Sequence, residues 1–267
     1  MLSMNIKGEG EKVKIVKKIW IIALSVLIFI TGCTSKKDEK GFFAWMDGYL
    51  AMAVGEDYSI ALTFFFEQNN APFDTGEITD LSFDNLEQIE ILRYSINPLE
   101  ADEALRYGGY SFNLDIRADG KGVFKTDKLI ATIDNSSVIF TIGEWVFDIE
   151  EATLPLDAEG VIDIWGSPVV GSNSRTFAYD YTITDNKTKI KEIWISEDII
   201  LSETEGLPLS NVIELPQTIN APINFIRPKI VLDIDGEEFI TFGMSYYSGA
   251  MGVQEDVLEK SKERNMR

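Results

Sequence analysis

Histidine is absent from these 267 residues, and cysteine occurs once, at Cys33. The first absence excludes Ser-His-Asp and Cys-His catalysis, imidazole proton shuttling and most zinc chemistry. The second leaves no intrachain disulfide, so stability has to come from packed cores. Positive charge is scarce too: 24 Lys and Arg stand against 44 Asp and Glu, a formal net charge of −20. Nucleic acid is bound through a basic footprint that displaces counterions, so no nucleic-acid partner is expected. No apolar run reaches the roughly 20 residues that a transmembrane helix needs. Hydrophobic residues still make up 45% of the chain, a globular proportion and too many for a disordered one.

The longest apolar stretch, residues 19–30, is interrupted only by Ser25 and follows Lys12, Lys14, Lys17 and Lys18. A basic flank before about a dozen apolar residues is the build of a secretory signal. At ~1.5 Å per residue the stretch spans about 18 Å, short of a ~30 Å hydrocarbon core. It ends in Ile30-Thr31-Gly32-Cys33, which resembles the lipobox of bacterial lipoproteins. The resemblance covers residues 12–33 and implies cleavage before Cys33, acylation of its thiol, and a lipid anchor on the extracytoplasmic face of the bacterial cell membrane. The lipid bilayer is then a partner through Cys33. Residues 1–32 would be the signal peptide, and 33–41 the lipidated cysteine with a polar tether. Residues 1–32 hold five lysines and two glutamates, so the chain that remains after cleavage is more acidic still.

The body reads as strands. Tyr58, Ile60, Leu62, Phe64 and Phe66 alternate with Ser59, Ala61, Thr63 and Phe65, the period of a strand with one buried face. Phe177, Tyr179, Tyr181 and Ile183 alternate with Ala178, Asp180, Thr182 and Thr184 in the same way. The pattern also repeats. Ile78, Leu81 and Phe83 lie over Ile190, Ile193 and Ile195 at one constant offset. Late in each unit, Ile133-Asp134-Asn135 matches Ile234-Asp235-Gly236, and Asp-Asn and Asp-Gly are tight-hairpin dipeptides. Three matched segments in one order point to a duplicated unit of about 100 residues.

A β unit of that size resembles the immunoglobulin-like sandwich in architecture, though without that fold's cysteine pair. The expected fold is all-β: two tandem immunoglobulin-like antiparallel β-sandwiches after a cleaved lipoprotein signal peptide. The first occupies residues 42–152, the linker and second sandwich 153–251, and a charged C-terminal tail 252–267, in which residues 254–267 read as a frayed helix or as tail. A short helix is expected at residues 99–107, closed by Gly108-Gly109.

Candidate sites are few. Residues 233–238 and 115–120 resemble calcium loops only superficially, because each lacks the later oxygen ligands. Hairpin turns with solvated carboxylates account for them better. No carboxylate pair stands out for glycoside hydrolysis, so neither catalysis, a metal nor a cofactor is expected. Two aromatics fall on faces that are otherwise small and polar. Trp194 lies between core-pointing Ile193 and Ile195, where the first copy has Ser82, and Phe65 shares a face with Ser59, Ala61 and Thr63. Both are candidate binding-surface residues unless a neighbouring element covers them. Trp145 and Trp165 have no assignable face.

The expected function is a non-catalytic binding or adhesion module held off the membrane, with a protein or carbohydrate ligand. The alternative is an accessory or sensor subunit of a membrane-envelope complex; a surface hydrolase ranks behind both. A transporter's solute-binding lipoprotein would need alternating strands and helices in two lobes, and that alternation is missing.

Overall fold

The computed structural model describes residues 41–265 except 69, 100–105, 154–161, 166–174, 185, 204–205, 216–220 and 250–254, with the backbone alone at 162–165 and 256. The expected signal peptide, Cys33, the expected tether, the linker at 154–160 and most of the helix expected at 99–107 lie outside these residues. Tyr107 itself begins a strand.

The first sandwich consists of β1 (Phe42–Phe43), β2 (Met46–Ala53), β3 (Asp57–Glu67), β4 (Ile78–Phe83), β5 (Ile89–Pro98), β6 (Tyr107–Ala118), β7 (Gly122–Ile133) and β8 (Ser136–Glu150). One sheet has the order β1-β3-β6-β5, and the other contains β2-β8-β7-β4. These are the ABED and GFC orders of an immunoglobulin sandwich, with β2 added beside the last strand. The second sandwich consists of β9 (Ile162–Trp165), β10 (Thr176–Ile183), β11 (Thr188–Trp194), β12 (Ile200–Ser202), β13 (Ser210–Glu214), β15 (Lys229–Ile234) and β16 (Glu237–Phe242). Its sheets run β13-β10-β9 and β12-β11-β15-β16. The chain is therefore all-β, built from immunoglobulin-like sandwiches.

The matched sequence segments occupy equivalent strands. Ile60, Leu62 and Phe64 of β3 and Phe177, Tyr179 and Tyr181 of β10 are all buried, as their alternation requires. Ile78, Leu81 and Phe83 are buried on β4, and Ile190, Ile193 and Ile195 on and just beyond β11. A β-bulge falls between Ile78 and Asp80 in one copy and between Ile190 and Glu192 in the other, at aligned positions. Bulges are features a family keeps, so the shared one supports a common origin for the two units. Both hairpin turns have the paired left-handed backbone of a tight turn: φ is 49° and 60° at Asp134 and Asn135, and 55° and 89° at Asp235 and Gly236.

Two strands do not respect the repeat. β14 (Ile223–Arg227) and β17 (Tyr246–Gly249) come from the second half of the chain yet extend the first sandwich's sheet, giving β17-β14-β2-β8-β7-β4. β14 runs parallel to β2, and β2 runs parallel to β8; the other ladders among the described residues are antiparallel. Pro228, which cannot donate a ladder hydrogen bond, separates β14 from β15. Side chains alternate across β14, so Phe225 packs in the first core and Ile226 in the second. Tyr247 and Tyr246 divide in the same way on β17. Trp145 of β8 lies over Gly48 and 5.5 Å from the Phe225 ring. A Cβ at Gly48 would come within 2.3 Å of that indole, so only glycine lets the ring lie there.

Of the two forms open to the charged C-terminal segment, its described residues take the helix. Glu255–Asn265 forms the helix α1, which buries Val257, Leu258 and Ser261 against the first sandwich. Among its described side chains just these three are buried, which is why its polar composition reads as solvated in sequence.

Because β14 serves both cores, Phe225→Ala should cost about 3–5 kcal/mol and Ile226→Ala about 2–5 kcal/mol. Scanning calorimetry should show one shared transition in the wild type and in both variants. Two transitions, each lowered by a different variant, would mean that the cores melt separately.

Candidate functional site

Residues 193–195 settle where Trp194 points. Ile193 and Ile195 are buried in the second core, so Trp194 stands on the outer face of the β12-β11-β15-β16 sheet. That face is not open at this point, and the indole is half-buried. Lys229, opposite Trp194 on β15, holds its ammonium 4.2 Å from the ring centroid. The indole N–H donates to Glu192 Oε2 at 2.8 Å. The same ammonium donates to Asp148 Oδ2 at 2.6 Å, and that oxygen also accepts from the Tyr49 hydroxyl at 2.6 Å. Asp148 is on β8 and Tyr49 on β2, so Trp194 caps an ion pair that runs from one sandwich to the other.

This pair is deeply placed, with Lys229 and Asp148 side chains 10% and 6% exposed. Burial of two ions costs several kcal/mol each unless hydrogen bonds and Coulomb attraction offset it. Here the Tyr49 hydroxyl, the indole face and the opposite charge do so. Burial, reinforced by the Asp148 carboxylate, raises the Tyr49 pKa far above the ordinary phenol range, which keeps the hydroxyl a donor.

A second pair lies on the other side of Pro228. The Arg227 guanidinium donates to both oxygens of Glu56, at 2.9 and 2.6 Å, and its Nε donates to the Gly243 carbonyl at 3.1 Å. The Tyr58 ring lies 4.1 Å from its Cζ, and Phe242 lies 5.6 Å away. Lys125 and Glu197 form a third, more exposed bridge across the junction, the kind that contributes little.

None of these ions was singled out from sequence. The available signal was Arg227-Pro228-Lys229, two cations around a proline inside an otherwise apolar run, in a chain so acidic that cations are conspicuous.

Phe65 is placed differently from its expected exposure. It is 5% exposed, packed against Phe42 and covered by α1, whose Leu258 joins the same cluster. Gly109 lies opposite, and a Cβ there would meet Leu99, the Phe64 carbonyl and the Phe65 ring. The expectation that Phe65 presents a binding surface is corrected: a helix from the far C-terminal part of the chain lies over it. Trp145 is buried in the first core, and the Trp165 side chain lies outside the described residues.

The remainder of Phe65's face is open. Cross-strand register puts Ala61 beside Asn113 and Ser95, and Thr63 beside Ser111 and Asn97. Ser59 and Asp115, Arg93 and Asp115, and Arg117 and Asp57 pair at one end. Short hydroxyl and amide side chains, exposed or half-buried, thus form an array on the β3-β6-β5 strands. Part of the opposite outer face, around Tyr49 of β2 and Asp148 of β8, is taken up by the second sandwich, while Ile139 of β8 is exposed. Elsewhere, Asp233 accepts from the Gly236 N–H at 2.9 Å, and Asp235 and Glu238 pair with Lys187 and Lys191. Asp115, Asp233, Asp235 and Glu238 of the two acidic segments are thus used in turns and ion pairs. Among the described residues no three metal-ligating side chains gather.

Breaking the buried pair should be costly: Lys229→Ala should lower stability by about 3–5 kcal/mol in urea melts, because Asp148 is left buried without its counter-charge. The double change Asp148→Leu with Lys229→Met should lose much less. Trp194→Ser should lower stability by about 1–2 kcal/mol through loss of the indole face over Lys229. An unchanged midpoint would mean that the indole does not support the pair.

No family model matches the chain, and no curated protein matches it. Among solved structures it is similar to the fibronectin(III)-like modules of Clostridium thermocellum CbhA, at 9% identity and a TM-score of 0.25, covering 78% of this chain and 93% of that one. The tandem Ig repeats of Dlar match at 11% identity and a TM-score of 0.21, covering 78% and 96%. The sialic acid binding region of a Streptococcus sanguinis SK1 adhesin, bound to 3'sLn, matches at 10% identity and a TM-score of 0.23, covering 80% and 78%. At these scores the strand order itself remains the ground for the immunoglobulin-like fold.

Proposed function

We propose that this chain is a non-catalytic binding or adhesion module, lipid-anchored through Cys33 on the extracytoplasmic face of the bacterial membrane. Its ligand surface is the open face of β3, β6 and β5, and its ligand is a neutral, hydroxyl-rich carbohydrate. The observation that carries this reading is the array of Thr63, Ser95, Asn97, Ser111 and Asn113, donors and acceptors of short reach on a rigid sheet. A protein partner would need a central aromatic or apolar anchor, and this array offers only Ala61. The tether between Cys33 and Gly41 reaches about 25 Å when extended, enough to clear lipid headgroups.

Two measurements test the two halves of this reading. Cys33→Ala should remove labelled palmitate from the protein and leave uncleaved precursor on a blot. Equal labelling of wild type and variant would remove the anchor. Ser111→Arg combined with Asn113→Arg should weaken binding on a glycan array at least tenfold, about 1.4 kcal/mol, without shifting the melting temperature. Undiminished binding would place the ligand surface elsewhere.

A further inference from the structure

Helix α1 is attached to the first sandwich by unusually little apolar surface. Its apolar contribution is Val257 and Leu258, and its third buried residue is Ser261. Polar contacts make up the rest. Ser261 Oγ accepts from the Trp45 N–H at 2.9 Å, and the Asn265 amide donates to the Phe43 carbonyl at 3.4 Å. The Tyr107 hydroxyl donates to Glu259 at 2.7 Å, and the Arg264 guanidinium lies 4.1 Å from the Trp45 ring centroid. Arg106–Glu259 and Lys262–Glu67 are long ion pairs, at 3.8 and 3.6 Å. Arg264 Nη1 is buried without a hydrogen-bond partner, although Asp47 lies 3.8 Å from it.

The exposed Arg106–Glu259 pair contributes little, and the less exposed Lys262–Glu67 and Arg264–Asp47 pairs are held at long distance. An eleven-residue helix is also too short to persist alone in water, so once undocked it melts rather than swinging away intact. Beneath it lie Phe42, Phe65 and Tyr107, an aromatic patch at the end of the open polar face. Two of its hydrogen bonds hold Phe43 and Trp45, in the first residues of the sandwich.

We propose that α1 is a releasable cover: it undocks as a local unit, exposing Phe42, Phe65 and Tyr107 and releasing the Trp45 amide while both sandwiches stay folded. Release follows from the packing and does not require the binding role proposed above. Segments held by few apolar contacts open at lower free energy than the global transition. The consequence is a two-state surface, polar when covered and aromatic at one end when uncovered.

Native-state hydrogen exchange on the detergent-solubilised full chain tests this. In the wild type, α1 amides should exchange at least about 100-fold faster than those of β7 and β8. In Leu258→Asp, the Trp45 amide should become fast and 1-anilinonaphthalene-8-sulfonate fluorescence should rise, with β7 and β8 protection unchanged. Ser261→Ala, which removes the Trp45 partner and the hydroxyl's own bond to the Val257 carbonyl, should speed α1 exchange without touching β7 or β8. The proposal is overturned if wild-type α1 exchanges as slowly as β8, or if Leu258→Asp lets β7 and β8 exchange as fast as the helix.

Discussion

Phe225 packs against Trp145 in the first core while its neighbour Ile226 packs in the second, and on β17 Tyr247 and Tyr246 divide in the same way. A ribbon whose two faces pack in different cores belongs to neither sandwich alone. It makes β14 and β17 part of a six-stranded sheet whose remaining strands, β2, β4, β7 and β8, belong to the first sandwich. Any separation of the halves would have to break the parallel β14–β2 ladder and expose apolar side chains on both sides of it. Stability at the junction is therefore core stability, unlike the polar interfaces that usually join domains in tandem.

The ion pairs at the junction follow from this ribbon. Pro228 ends one sheet's ladder and begins the next, and the residues on either side of it, Arg227 and Lys229, are both buried cations. Each is matched by a carboxylate of the first sandwich, Glu56 and Asp148. Buried pairs add little net stability over apolar residues of the same size, but an unmatched one is costly. Charge therefore penalises other angles between the sandwiches, since these would leave the buried cations without their carboxylates. Trp194 belongs to this arrangement: its ring gives Lys229 an electron-rich face to lie against.

One outer face of the first sandwich is partly covered by the second, around Tyr49 and Asp148, whereas the other carries none of its described residues. That other face has two parts, a polar array on β3, β6 and β5 and an aromatic end under α1. The difference between them is physical. Short hydroxyl and amide groups are well solvated by water, whereas Phe42, Phe65 and Tyr107 require a cover, and α1 is the one the chain provides.

Much of the fold was legible in the sequence because period-two alternation is local. The strands beginning near Tyr58 and Phe177 announce their buried faces within a few residues, and Asp134-Asn135 and Asp235-Gly236 announce their turns through backbone preference. The register that put Trp194 opposite the core-pointing Ile193 and Ile195 was equally readable. What covers a face is not local. Phe65 looked exposed because its cover is a polar helix at the other end of the chain with only Val257 and Leu258 to betray it. Whether Trp194 was open or covered could not be read locally, because Lys229 and Asp148, distant in sequence, meet beside it only when two sheets pack face to face. Strand identity and side-chain facing were set by the sequence through sterics and alternation. Which faces meet, and so which surface remains for a partner, was decided only when β14 was shared between two cores.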